Sequence, residues 1–284
     1  MGSRAVQIVL AWAVMIGAWE AAYRIVGWKS WQFPAPSHVL DATLNMVNVH
    51  TYFGEPVAEG WPWHKAGSQT KVFGGGKSEL LSAIAVSGAR LLVGFAVSLV
   101  LGTLLGMAMW RFDFLDRLFG PVFLGMQTLP SVCWVPLAIL TLGINESAIL
   151  MVLVLGSCFA TAIALRDGLR TIPPIYQRAG EMLAARGWRL YRFVLLPASL
   201  PAVASSLRQG FSFAWRSLMG AELILVLQNR GLGFLLNMGR EFADVAQVVA
   251  VMVIMIAIGM VVDRWVFAVI ERRVRRRFGL LALA

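Results

Sequence analysis

The stretch Ala83-Ile84-Ala85-Val86-Ser87-Gly88-Ala89-Arg90-Leu91-Leu92-Val93-Gly94-Phe95-Ala96-Val97-Ser98-Leu99-Val100-Leu101-Gly102-Thr103-Leu104-Leu105-Gly106-Met107-Ala108-Met109-Trp110 decides the fold. Arg90 is its single charge, and the run exceeds the roughly 20 mostly apolar residues that carry a helix across a bilayer. Similar runs lie near 5–27, 118–142, 147–166, 199–227 and 246–269. Backbone exposed to lipid has no water to bond, so these runs predict an all-α membrane protein, a bundle of six transmembrane helices. The alternation of barrel strands is absent.

Composition agrees. The 284 residues are 58% hydrophobic and 14% charged, whereas a soluble domain carries roughly a quarter charged residues. Mean hydropathy is +0.72. The first run, about 6–26, is too long for a signal-peptide core, and no A-x-A site follows it, so it is read as a retained span. Cys133 and Cys158 both sit in apolar runs without metal or redox spacing, and read as small buried hydrophobes.

Lysine and arginine in short loops set the expected orientation. Arg4, Arg111, Arg117, the arginines of 166–192 and the tail Arg272, Arg273, Arg275, Arg276 and Arg277 all fall on one side of a six-span chain. Both termini are therefore expected in the cytoplasm, with the tail against the anionic inner leaflet rather than on nucleic acid. The chain divides into a first span, 1–27, and an external segment, 28–80, holding an interfacial helix and a flexible Gly74-Gly75-Gly76 linker. A membrane domain, 81–271, with a cytoplasmic loop at 167–198, and a basic tail, 272–284, complete it.

The cytoplasmic loop contains Arg178-Ala179-Gly180-Glu181-Met182-Leu183-Ala184-Ala185-Arg186-Gly187-Trp188, preceded by Pro173-Pro174 and followed by Leu196-Pro197. Proline suits a first helical turn, and the small residues at 179, 180, 184 and 185 form a smooth patch that lets another protein approach closely. From pattern alone, a membrane-surface helix with no partner fits as well.

Here the chain resembles the ABC importer permeases, within them the nitrate/sulfonate/taurine/bicarbonate branch. Residues 179–201 look like that family's EAA signature, with Arg178 in place of its Glu and Ala184 in place of its Gly. Phe33-Pro34-Ala35-Pro36-Ser37, Ser87-Gly88-Ala89-Arg90-Leu91-Leu92-Val93-Gly94-Phe95 and Leu129-Pro130-Ser131-Val132-Cys133-Trp134-Val135-Pro136-Leu137 resemble further family blocks in order. So do Ala214-Trp215, Ala221-Glu222-Leu223 and Gly231-Leu232-Gly233-Phe234. The segment 44–77 is longer than the family's counterpart.

The resemblance implies the type I importer permease fold for 81–271, in a bacterial cytoplasmic membrane. Two permease copies, a homodimer since no second half is present here, would work with cytoplasmic ATPase subunits and an external solute-binding protein. It assigns ATPase coupling to Arg178, Ala179, Gly180, Leu183, Ala184, Ala185 and Gly187. Hydrolysis would belong to the separate ATPase, so no catalytic residue, cofactor or metal is expected in this chain.

Pro130 and Pro136 break the third run, and broken helices expose polar groups to cavities. Gln127, Thr128, Ser131 and Trp134 are therefore candidates for the solute path. Charges inside spans cost several kcal/mol unless paired or hydrated, which singles out Glu20, Arg90, Arg208, Arg216 and Glu222. Arg90 is expected at the external interface and Arg208 near the cytoplasmic end, where it can snorkel. Arg216 and Glu222 lie deeper and join the path candidates, with pairing in the protein interior favoured over solute contact. An arginine facing the cavity would suit an anion.

Gly74-Gly75-Gly76-Lys77-Ser78 lacks the first glycine of a phosphate-binding loop, since Lys71 stands there. His38, His50 and His64 make no zinc pair. The alternative function is a stand-alone secondary transporter or channel, which would place acidic or histidine relays in its spans; Glu20 and Glu222 are the only acids that qualify.

Overall fold

The computed structural model describes residues 2–29, 32–47, 78–183, 188–225, 227 and 230–277. Helices follow one another as α1 (Gly2–Val26), α2 (Pro36–Val47), α3 (Glu79–Arg111), α4 (Asp113–Thr128), α5 (Trp134–Leu142) and α6 (Glu146–Arg170). Then come α7 (Pro174–Met182), α8 (Trp188–Leu190), α9 (Leu196–Ile224), α10 (Leu232–Glu241), α11 (Val245–Val262) and α12 (Ala268–Arg277). A short 3₁₀ turn covers Ser131–Cys133, and π-helical turns cover Tyr191–Leu195 and Asp263–Phe267. No strand occurs among the described residues.

Three helical stretches are long and apolar enough to cross a membrane: Glu79–Arg111, Glu146–Arg170 and Val245–Val274. α1 and α9, of 25 and 29 residues, have the length as well. The third apolar run is broken at Pro130, as its prolines led one to expect, with α4 and the 131–142 segment bent by 97°. The cause is local: Pro130 cannot continue a helix, Leu129 before it is extended at ψ 126°, and a 3₁₀ turn starts the chain in its new direction. Pro136 lies in the first turn of α5, where its missing N–H costs nothing.

The chain forms two compact units. In the first, residues 1–86 with 230–254, α2 packs on α1. Trp19 meets Phe33 at 5.6 Å and Tyr23 meets His38 edge-on at 5.5 Å, while Glu20 takes hydrogen bonds from Arg24 at 3.1 Å and Ser37 at 3.4 Å. Within the 28–80 segment, α2 is a helix with Val39, Ala42 and Met46 buried. Residues 48–77, with His50, His64 and the triglycine, lie outside the described residues.

The second unit, residues 87–229 with 255–284, is built around α6, whose span is 61% buried against 28% for the α3 span. Small side chains make this possible, because without a hydrophobic drive between helices in lipid, association depends on close packing. At Gly102 an added Cβ would lie 2.8 Å from the Cys158 carbonyl oxygen, and at Gly106 2.7 Å from that of Ala162. On the other side α6 meets α9 through a core of Val152, Leu153, Phe211, Ala214 and Leu218. Phe211 and Phe267 lie 4.7 Å apart, with Phe95 6.1 and 6.2 Å from them.

Candidate functional site: a membrane path and its driving helix

The deepest polar feature is a four-residue cluster. Ser87 donates to both carboxylate oxygens of Glu222, at 3.0 and 2.7 Å. Arg90 gives Nη1 to Glu222 at 2.8 Å, and Nε and Nη2 to Glu146 at 2.7 Å each. Arg90 is only 7% exposed and Glu222 1%, so the guanidinium is enclosed by protein where these helix ends meet. Two arms of its planar guanidinium fit one carboxylate while the third reaches another, which ties α3 to the first turn of α6 and the last turn of α9. For Glu222 the expected interior pairing is present, with Arg90 as partner.

Arg216 behaves otherwise. It is exposed, donates Nε to the Ser212 carbonyl at 3.0 Å, and stacks on Phe213 with its guanidinium carbon 4.4 Å from the ring centre. No ion pair holds it among the described residues. With Ser205, Gln209 and Ser212, also exposed, it forms a polar stripe at i, i+4, i+7 and i+11 along α9. That spacing is one helix face. The period is legible in the sequence, although Arg216 is the only member of the stripe that an intramembrane charge singles out.

Around the α4–α5 bend, Gly156 lies between Ser131 and Ser217, an added Cβ there falling 3.1 and 2.9 Å from their Cβ atoms. Val132 packs over Gly220, where a Cβ would be 2.8 Å from Cγ2. The bend is thus seated against α6 and α9, and Ser131 is brought next to the residue that follows Arg216. Gln127 Oε1, Trp134 Nε1 and Ser217 Oγ are buried without a hydrogen-bond partner. Thr128 is exposed and bonds back to the Gly125 carbonyl at 2.7 Å. Such unmet groups are uncommon in an interior, and they sit together at the one sharp break in the bundle's described spans.

α7 follows α6 after Thr171, Ile172 and Pro173. Its large apolar side chains face outward: Ile175 is 68% exposed, Met182 88% and Leu183 83%. Gly180 turns inward, and an added Cβ would meet Leu190 Cδ1 at 2.5 Å and Val194 Cγ2 at 3.1 Å. The glycine thus lets α7 fold back closely on its own loop. Arg178 and Ala179 are exposed, while Ala184, Ala185 and Gly187 lie outside the described residues. Arg208 binds Asp263 through two bonds of 2.7 Å and Glu271 at 3.1 Å, so it is paired rather than merely snorkelling. Cys158 is buried as expected, but Cys133 is exposed.

Comparison with known proteins places this architecture. The family of the "Binding-protein-dependent transport system inner membrane component" matches residues 98–276. The nitrate import permease protein of Synechocystis is 21% identical over 263 residues, 93% of this chain and 87% of that one. The taurine transport system permease protein of Escherichia coli is 27% identical over 159 residues, 56% and 57% of the two chains. Among solved structures, the inward-facing MetNI methionine ABC transporter matches with a TM-score of 0.57 at 18% identity. The match covers 69% of this chain and 95% of that one, and supports the type I permease fold. The chain belongs to the binding-protein-dependent transport system inner membrane components, and is a multi-pass permease subunit of an ABC importer.

Proposed function

We propose that this permease passes a small oxyanion along the polar stripe of α9, driven by a cytoplasmic ATPase that docks on α7. The observation that carries the solute class is Arg216. An exposed guanidinium within a membrane-spanning helix costs several kcal/mol against lipid, and such residues face water-filled cavities or protein. Here the Phe213 ring and the Ser212 carbonyl hold the guanidinium in place, leaving its terminal N–H groups for a ligand. A planar fork of donors matches nitrate, sulfonate or bicarbonate oxygens. The nitrate and taurine permeases among its relatives are consistent with that chemistry.

The stripe supports a paired arrangement. One chain presents Ser205, Gln209, Ser212 and Arg216 on a single open face, and a second identical copy facing it would enclose a path. Gln127, Thr128, Ser131 and Trp134 would line its broken end, next to Ser217. Outward Ile175, Met182 and Leu183 offer α7 an apolar contact for the ATPase, with Arg178 and Ala179 beside them. The arginine distribution supports a cytoplasmic position for this end and both termini, so an external binding protein would deliver solute at the opposite face. A stand-alone proton-coupled transporter is less well supported, since Glu222 is engaged by Ser87 and Arg90 and Glu20 by Arg24 and Ser37.

The test is uptake of nitrate, taurine and bicarbonate into cells or vesicles holding the permease, its ATPase and its binding protein. Arg216→Ala should abolish uptake while the complex still assembles. Uptake unchanged by that substitution removes Arg216 from the path and with it the argument for an anion.

A further inference from the structure

α4 and α6 are joined at one end by a compact ion network that the path and the docking helix leave unused. Asp116 receives two arginines from α6, one on each oxygen: Arg166 Nη1 on Oδ1 at 3.0 Å and Arg170 Nη2 on Oδ2 at 2.8 Å. Arg166 also holds Asp167 at 2.7 Å. The Arg166–Asp116 pair is largely enclosed, with 16% and 13% of the side chains exposed, unlike Asp113 at 86%. Gly120, one turn along α4, makes room for it. A Cβ there would lie 2.7 Å from Arg166 Nη1 and 3.2 Å from Asp116 Oδ1.

The position of this joint gives it a meaning beyond stability. Arg166 and Arg170 form the last turn of α6, and α7 begins at Pro174, so three linking residues separate the joint from the proposed ATPase contact. At the other end of α4, an unbroken helix of 16 residues with Pro121 inside it, lie Gln127, Thr128 and the 97° bend. A rigid helix carries a displacement of its first turn to its last. Asp113 and Asp116 at the start of α4, and the arginines at the end of α6, also complement the two helix dipoles. That role alone would not require one carboxylate to bridge two arginines or a glycine to admit the guanidinium.

We propose that Asp116 is the positioning residue through which movement of α7 reaches the solute-path bend. The Arg166 and Arg170 grip makes α4 follow the foot of α6 when the ATPase closes, and the bend at Pro130 turns that motion into a change of the path. This rests on the reading of α7 as the ATPase contact.

The bend carries its own reporter. The chain has two cysteines, Cys133 exposed at the bend and Cys158 buried, so a maleimide should label Cys133 selectively. Its labelling rate is measured in the purified permease–ATPase complex, without nucleotide and trapped with ATP and vanadate. In the wild-type complex, trapping should change the rate at least threefold. Asp116→Asn should erase that dependence while the ATPase still co-purifies and still binds nucleotide, a separation that loss of folding alone would not produce. If Asp116→Asn fails to assemble, Arg170→Gln, which leaves the Arg166 bond in place, should reduce the dependence by half or more.

Nucleotide dependence that survives in the assembled Asp116→Asn complex, or that falls by less than half in Arg170→Gln, overturns the proposal. So does a wild-type complex whose Cys133 ignores nucleotide. In both cases docking on α7 stands. A wild-type permease that retains no ATPase sinks the docking reading, and this one with it.

Discussion

The Arg90 guanidinium lies 2.8 Å from the Glu222 carboxylate, with 7% and 1% of their side chains exposed. Removing Arg90 leaves the buried Glu222 carboxylate without its cation, at a cost of about 3–5 kcal/mol, whereas replacing both by apolar groups can be nearly neutral. Arg90→Met alone should therefore lower the unfolding temperature in detergent strongly, and Arg90→Met with Glu222→Leu should lower it less. A double variant as unstable as the two losses summed would mean that the pair contributes no mutual stabilisation.

Arg208 with Asp263 offers a contrast at similar distance. These side chains are 41% and 33% exposed, and pairs so open to solvent contribute roughly 0.2–1 kcal/mol. Arg208→Gln should shift the melting temperature slightly, and the shift should shrink further in high salt. A loss comparable to that of Arg90→Met would show the pair to be far better shielded than its exposure implies.

Glycines of α3 should diverge by position. Nothing lies within 4 Å of a Cβ placed at Gly88, so Gly88→Ala should stabilise by about 0.5–1 kcal/mol through backbone entropy. At Gly106 the Cβ would meet the Ala162 carbonyl at 2.7 Å, and overpacking costs about 1–3 kcal/mol. Melting of Gly106→Ala and Gly88→Ala side by side checks this, and equal effects would argue against close α3–α6 contact.

On α7 the inward and outward residues should separate two properties. Gly180→Val should destabilise the loop, because Leu190 and Val194 occupy the space. Leu183→Glu, at a position 83% exposed, should leave melting unchanged while ATPase co-purification falls at least tenfold. Retention of the ATPase by Leu183→Glu would move the docking surface elsewhere.

What could be read in advance followed from local chemistry. Apolar run length located α3, α6 and α11, Pro130 marked a break, and the intramembrane position of Glu222 demanded an interior partner. The partner itself was illegible, since Arg90 lies 132 residues from Glu222 and 56 from Glu146, and no local rule couples such distances. The angle at Pro130 depends on how Val132 and Ser131 seat against α6 and α9, which proline alone does not specify. The inward turn of Gly180 depends on the fold-back at Leu190 and Val194, so composition made it look like an outer surface. The α9 stripe is different: Ser205, Gln209, Ser212 and Arg216 recur at a helical period that is legible in the sequence itself.

The bend at Pro130 also bears on the lipid. At 1.5 Å per residue the two arms reach about 24 and 18 Å, and the hydrocarbon core is about 30 Å thick. Taken together as one broken span set nearly at right angles, they would cover it only when tilted by roughly 40° and 50°, at or past the edge of the usual range. Hydrocarbon beside this part of the subunit is accordingly strained toward thinness. Acyl-chain length then becomes a handle on the transport cycle: thick bilayers favour whichever state straightens the elbow, and thin ones the state that keeps it folded.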